Sequence, residues 1–205
     1  PVVEAYGMTE ASHQMSSNPL PPASRRVGTV GPGTGVEIAI MDEKGNLLPP
    51  GERGEVVIQG ANVMQGYRNN PEANASAFTN GWFRTGDQGY LDAEGYLTLT
   101  GRIKELINRG GEKIAPLEVD AVLMQHPSVA EAVSFGVPDA KYGEEVHAAV
   151  VLKGEATQEE IQRFCLEHLA DFKVPKAIHF VEQLPRSATN KILRREVAAQ
   201  FSKSQ

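Results

Sequence analysis

A single cysteine, Cys165, is present in 205 residues, so no disulfide framework can exist within the chain, and a reducing compartment suits it. Basic charge is in deficit: 20 Lys and Arg stand against 26 Asp and Glu, a net charge of -6. That excludes a general nucleic-acid binder, which carries a basic surplus. Any phosphate-bearing ligand must then be met by a local cationic cluster. No apolar run approaches the ~20 residues of a membrane-spanning helix, so no span is expected. Four of the five histidines, His126, His147, His168 and His179, lack the close spacing of a metal site and are assigned no role.

Glycine and proline are plentiful, 20 and 13, and imply many turns. Segments 36–40, 55–59 and 96–100 are β-branched or alternating and predict strands. Residues 71–75 predict a short helix opened by Pro71. Residues 1–103 are therefore expected to form a β-rich domain, with a distorted barrel as one arrangement and a strand already under way from Pro1. Residues 104–205 read as a small α+β domain. Its expected elements are a hairpin at 105–114 turning on Gly110-Gly111, a helix at 116–125 and strands at 129–137, 145–152 and 177–181. Thr157 and Glu160 form a capping box that starts a helix with Ile161, Phe164, Cys165 and Leu169 on one face. Cys165 on that stripe reads as a buried apolar residue rather than a nucleophile. A last helix is expected at 192–201. The fold class is α+β in two domains, divided near residues 102–105.

Several short motifs carry chemistry, each open to a plainer reading. Tyr6-Gly-Met-Thr-Glu10 brings an aromatic ring, a glycine turn, a hydroxyl and a carboxylate together. The ring can stack on a base, Thr9 can bond a phosphate oxygen and Glu10 can hold Mg²⁺; the alternative is an ordinary strand exit. Thr85-Gly86-Asp87 reads as a tight turn. Its carboxylate either accepts two hydrogen bonds from a ribose diol or caps its own backbone. Arg102 and Lys104 flank Ile103, and strand alternation would place both on one face, toward a nucleotide or toward solvent. Gly110-Gly111 permits close backbone approach to a narrow ligand arm or serves only as a turn. Residues 31–35, GPGTG, mimic a phosphate loop but lack the following lysine and helix, so they read as a turn. Lys191 ends a Ser/Thr-containing loop and could neutralise charge at a reacting phosphate. His13, in a loop three residues after Glu10, could contact a polar or anionic substrate.

As an ordered set, YGMTE at 6–10, GWFRTGD at 81–87, GRIKELINRGGEKIAPLEVD at 101–120 and LPRSATNKILRR at 184–195 resemble the adenylate-forming acyl-activating enzymes, the acyl-CoA synthetases. The resemblance covers the whole chain. YGMTEASHQM with NPLPP, and GRIKELINRGGEKI, are most similar to the oxalate–CoA ligases within that family. The resemblance implies an ATP-dependent, two-step ligase that adenylates a small carboxylic acid and passes the acyl group to CoA. It implies that Tyr6 and Gly7 lie against adenine, Thr9 meets phosphate and Glu10 holds Mg²⁺. It further implies that Asp87 binds the ribose with Arg102 nearby, and that Lys104 is the hinge of a mobile second domain. Gly110 and Gly111 would line the CoA arm, His13 would meet the substrate carboxylate, and Lys191 would serve adenylation. Asn190 stands where the family carries a glycine before that lysine.

Family members are more than twice this length, and their phosphate loop precedes YGMTE. The resemblance therefore also implies a preceding part of the same polypeptide as partner, with the 205 residues alone inactive. A carrier protein as acyl acceptor, or a non-catalytic nucleotide- or protein-binding fragment, are the competing readings. The terminal Ser-Lys-Ser-Gln is not a peroxisomal Ser-Lys-Leu address, and the expected compartment is the cytoplasm or the peroxisomal matrix.

Overall fold

The computed structural model describes residues 2–202. Pro1 and residues 203–205, including most of the C-terminal tetrapeptide, lie outside them. The chain divides into two compact units, Pro1–Ile103 and Lys104–Gln205.

The first unit begins with a two-residue ladder of β1 (Ala5–Tyr6) and β2 (Ser16–Ser17). The extended start expected from Pro1 is therefore confined, among the described residues, to Ala5–Tyr6. A five-stranded antiparallel sheet follows, from β3 (Glu37–Met41), β4 (Gly54–Gln59), β5 (Phe78–Thr79), β6 (Trp82–Leu91) and β7 (Leu97–Arg102). Its order is β3-β4-β6-β5, with β7 also on β6. The sheet is open, not the barrel considered above, because β3 pairs with β4 alone. The helix α1 (Pro71–Ala77) precedes β5, with Pro71 in its first turn and the Asn70 side chain accepting from the Ala73 N–H.

Strand β6 alternates buried Phe83, Thr85, Asp87 and Gly89 with partly exposed neighbours. The sequence places a tight turn at Thr85-Gly86-Asp87; the structure places a bulge there. Between the pairs Val57↔Arg84 and Glu55↔Gln88, β4 has only Val56 where β6 has these three residues. Gly86 takes a φ of 74°. Side chains staple the bulge. Thr85 Oγ1 donates to the Val56 carbonyl (2.7 Å), and Glu55 accepts from the Gly86 N–H (3.0 Å) and from Arg84 Nε (2.8 Å). Ladder pairing on both sides of β6 overrides the local turn signal, and an isolated glycine within a strand marks such bulges.

The second unit is one sheet with helices on both faces. β8 (Ile107–Arg109) and β9 (Glu112–Ile114) form the expected hairpin. Gly110 and Gly111 both have positive φ, 60° and 98°, as a two-residue turn of this kind requires. β10 (Val129–Asp139) and β11 (Gly143–Leu152) are the long central pair, and β12 (Ala177–Phe180) lies parallel to β11. Helices α2 (Pro116–Leu123) and α3 (Gln158–Leu166) cover one face through Val119, Leu123, Ile161 and Cys165 against Val146, Ala148 and Val150. The last helix, α4 (Arg194–Ser202), covers the other through Val197 and Phe201 against Val133, Phe135 and Val137. Burial on both faces explains the nearly continuous apolar run of β10 and β11. Burial also pushes the Cys165 thiol up to about 11, which suits an inert core residue. Several expectations shift at the edges: α2 ends at Leu123 rather than residue 125, β10 runs on to Asp139, β11 begins at Gly143, β12 ends at Phe180, and Leu169 lies beyond the end of α3. α4 starts at Arg194 rather than residue 192, and β7 ends at Arg102, where a 3-10 turn (Ile103–Glu105) begins. Strand alternation therefore does not carry Arg102 and Lys104 onto one face.

The capping box is complete: Thr157 Oγ1 accepts from the Glu160 N–H (3.2 Å) while Glu160 accepts from the Thr157 N–H (2.8 Å). Thr157→Ala should lower stability by about 1 kcal/mol in a urea titration. Ile161→Ala, which empties a fully buried site, should cost about 2–5 kcal/mol; equal losses would contradict this ranking.

Candidate functional site

In the first unit the β1–β2 connection folds back on itself. The Met15 N–H donates to the Tyr6 carbonyl (2.9 Å) and the His13 N–H to the Met8 carbonyl (3.0 Å). A Cβ added at Gly7 would lie 1.6 Å from the His13 carbonyl oxygen, so only glycine fits there. Ser12 and His13 take φ values of 54° and 87°, a left-handed pair without glycine. Such strain persists only where surrounding bonds hold it. Here Ser12 Oγ donates to the Asn62 carbonyl (3.0 Å), and Asn62 Nδ2 to the Ala11 carbonyl (2.9 Å). The result is a cleft of about 400 Å³ lined by Ala5, Tyr6, Gly7, Ser12, His13 and Gln14. Three of the sequence-predicted residues, Tyr6, Gly7 and His13, therefore share one concavity.

Tyr6 extends this group to Asp87. Its ring packs among the apolar residues of both core clusters of the unit, and its hydroxyl donates to Asp87 Oδ2 at 2.5 Å. The other carboxylate oxygen meets Arg102 Nε at 3.0 Å. Arg102 arrives there because the β6–β7 register pairs it directly with Asp87. The carboxylate is buried while the Arg102 side chain is largely exposed. Each carboxylate oxygen has one protein donor, and an ionised carboxylate has about four acceptor sites, so lone pairs remain for a hydroxyl-bearing ligand.

Thr9 and Glu10 lie on the short 3-10 turn Thr9–Ala11. Glu10 Oε1 accepts from the Tyr67 hydroxyl (3.0 Å), a partner that no local pattern could have indicated across 57 residues. No group of three or more potential metal ligands occurs among the described residues. A lone carboxylate next to a threonine hydroxyl fits a Mg²⁺ that arrives with a phosphate-bearing ligand, since Mg²⁺ is commonly held by one or two carboxylates plus substrate phosphates.

The remaining predicted residues lie elsewhere. Lys104 is exposed, on the 3-10 turn that opens the second unit. In the second unit, Gly110 donates its N–H to the Tyr142 carbonyl (2.8 Å), and open space surrounds the side-chain position of Gly111. Tyr142 lies under the Arg109 guanidinium (4.0 Å from the ring centre) and the Lys141 ammonium (4.7 Å). Lys191 is exposed at the end of a small hairpin loop, where Ser187 N–H donates to the Lys191 carbonyl (2.8 Å) and Asn190 N–H to the Ser187 carbonyl (2.9 Å). Asn190 has a φ of 63°, the left-handed conformation that closes a three-residue hairpin loop. Asparagine thus supplies the backbone shape for which glycine is the usual choice. His147 and His179, left without roles by spacing, meet at 3.2 Å, and His179 stacks on Phe201. Burial holds both imidazoles below their ordinary range.

Alkaline titration separates two tyrosines. Burial, then the Asp87 carboxylate, pushes the Tyr6 phenol well above its ordinary range. The neighbouring Lys141 pulls Tyr142 below it. Tyr142 should ionise at lower pH than Tyr6 when absorbance at the phenolate band is followed. Because the folded state holds Tyr6 protonated, its contribution to stability is full below the unfolded pKa of ~10 and is lost as pH rises beyond it. The step that Tyr142→Phe deletes should lie at lower pH than the step that Tyr6→Phe deletes; the reverse order would refute the assignment. Gly7→Ala should destabilise the chain strongly in thermal unfolding, because backbone stands where the methyl would go.

Comparison with known proteins places this geometry in context. Residues 118–191 match the family described as AMP-binding enzyme C-terminal domain, and residues 1–68 match AMP-binding enzyme. The chain is 59% identical to an oxalate–CoA ligase of Saccharomyces cerevisiae, over 100% of this chain and 38% of that protein. It is 57% identical to an oxalate–CoA ligase of Arabidopsis thaliana, over 98% of this chain and 40% of that protein. Among solved structures, the o-succinylbenzoate CoA synthetase MenE of Bacillus subtilis, in complex with ATP and magnesium ion, superposes with a TM-score of 0.87 at 41% identity. That match covers 96% of this chain and 41% of MenE. The chain spans about two fifths of the length of the curated relatives it matches.

Proposed function

We propose that this chain, which belongs to the adenylate-forming acyl-CoA synthetase superfamily, is the C-terminal part of an ATP-dependent acid–CoA ligase acting on a small dicarboxylate such as oxalate. The observation that carries the reading is the convergence of Tyr6 and Arg102 on the buried Asp87 carboxylate beside the cleft of Gly7 and His13. The 57–59% identity to oxalate–CoA ligases supports the substrate class.

A carboxylate is a poor electrophile. Joining it to the α-phosphate of ATP releases pyrophosphate and leaves AMP as the leaving group; a CoA thiol then attacks the acyl carbon and expels AMP. In this reading Tyr6 and Gly7 form the floor for adenine, with the ring already fixed by packing. Asp87 accepts from the ribose hydroxyls, kept in orientation by Tyr6 and Arg102. Thr9 bonds a phosphate oxygen, and Glu10 takes a share of the Mg²⁺, which neutralises phosphate charge when bound. His13, aimed by its left-handed backbone, contacts the second carboxylate of the acid. Lys191 stabilises charge on the adenylation transition state, a role worth about 10²–10³ in rate for a single well-placed donor. Gly110 and Gly111 accommodate the pantetheine arm. Lys104 is the joint between the part of the adenylation domain at 1–103 and the C-terminal domain at 104–205. The partners are the acid, ATP, CoA and the remainder of a polypeptide of the relatives' length.

In a full-length protein carrying this chain, oxalate should support pyrophosphate release and CoA-thioester formation. Lys191→Ala should reduce acyl-adenylate formation at least ~100-fold, and retained adenylation would remove Lys191 from the mechanism. Gly111→Trp should spare adenylation and block thioester formation; equal loss of both would defeat the assignment of the hairpin to CoA.

A further inference from the structure

The loop that ends in Lys191 is held from both ends by arginines that neither motif nor spacing singled out. Arg186 enters it, paired across an isolated bridge with Ile192. One of its guanidinium nitrogens donates to the Asn190 carbonyl (2.9 Å), and the other meets Glu131 Oε1 on β10 (2.6 Å). The carbonyl it holds belongs to the left-handed residue immediately before Lys191. Arg194, the first residue of α4, anchors the exit. Only 12% of its side chain is exposed. Its three nitrogens reach three separate elements: Glu105 on the 3-10 turn (3.1 Å), Asp120 on α2 (2.9 Å) and the Ser134 carbonyl on β10 (2.5 Å). Ser134 in turn donates to Asp120 (2.7 Å), so the network is closed. Within the loop, Ser187 Oγ accepts from the Lys191 N–H (3.2 Å) and bonds the Thr189 hydroxyl (2.9 Å).

The division of charge is selective. Both arginines have carboxylate partners, whereas Lys191 is exposed and has no ion pair among the described residues. A three-residue loop of Ala, Thr and Asn has little apolar surface with which to fix its own shape. Two planar guanidinium forks, each bridging fixed acceptors, supply that rigidity without neutralising the lysine. We propose that Arg186 and Arg194 are positioning residues for adenylation, which hold the loop so that the Lys191 ammonium is presented in one place. The proposal rests on the reading of Lys191 as the adenylation lysine. Arg186 fixes the peptide preceding the lysine, and Arg194 ties the loop's exit to the segment that opens the second unit.

Arg186→Gln is the primary test, since Arg186 is exposed and its loss leaves the core intact; Arg194→Lys is the second variant. In the full-length protein, adenylation is followed by pyrophosphate release, and thioester formation is followed separately from supplied acyl-adenylate and CoA. Displacing a reacting group by ~1 Å costs on the order of 10² in rate. Arg186→Gln should therefore slow the kcat of adenylation by ~10–100-fold, with KM for ATP little changed and thioester formation untouched. Arg186→Lys should fail to rescue, because an ammonium lacks the rigid planar fork whose two nitrogens each meet one acceptor. Added to Lys191→Ala, Arg186→Gln should cause no further loss. Wild-type adenylation in Arg186→Gln, equal loss in both half-reactions, or additive loss in the double variant would each overturn the clamp. Retained adenylation in Lys191→Ala alone would instead overturn the underlying reading of the lysine, so the two failures are distinguishable.

Discussion

A buried carboxylate must find donors, and in the first unit that demand is met at Asp87. Leaving such a charge unpaired costs several kcal/mol, so Tyr6 and Arg102 are not incidental neighbours. The bulge in β6 sets the carboxylate inward, the β6–β7 register delivers Arg102, and the last residue of β1 delivers the Tyr6 hydroxyl. Three separately folded pieces of chain converge because one acid requires them. Once Tyr6 is fixed, the cleft beside it is fixed too, since Gly7 and His13 belong to the same closed loop.

The second unit applies the same constraint in the opposite direction. There the buried group is a cation, Arg194, and the elements that converge are those supplying acceptors. A guanidinium has five donors in a rigid fork, so satisfying it fixes more geometry than satisfying a carboxylate does. A sheet packed on both faces gives that fork a stiff base in β10 and α2.

Much of this was legible in the sequence, for local reasons. The capping box at Thr157, the glycine pair in the hairpin and Pro116 at a helix start each act within a few residues, and each appears where the chain's chemistry calls for it. The failures share one cause. Thr85-Gly86-Asp87 carries the signature of a turn, but partners tens of residues away along the chain convert it to a bulge. The Tyr6–Asp87 contact spans 81 residues and the Arg194–Glu105 contact 89; no window on the sequence contains both members. Arg186 and Arg194 drew no reading of their own, because what distinguishes a clamp from a surface cation is its acceptors. Asp87, Tyr6, Arg102 and Lys191 were found as candidates through motif order, and the arginines that support Lys191 were not.

Cys165 has a use unconnected with the chemistry above. It is the only thiol of the 205 residues, fully buried and held protonated near neutrality by its surroundings. To a maleimide or a spin-label reagent the folded chain is therefore effectively blank. A cysteine introduced at Ala188, at the exposed tip of the loop, would accept a probe at that one address without any need to remove the native sulfur from the core.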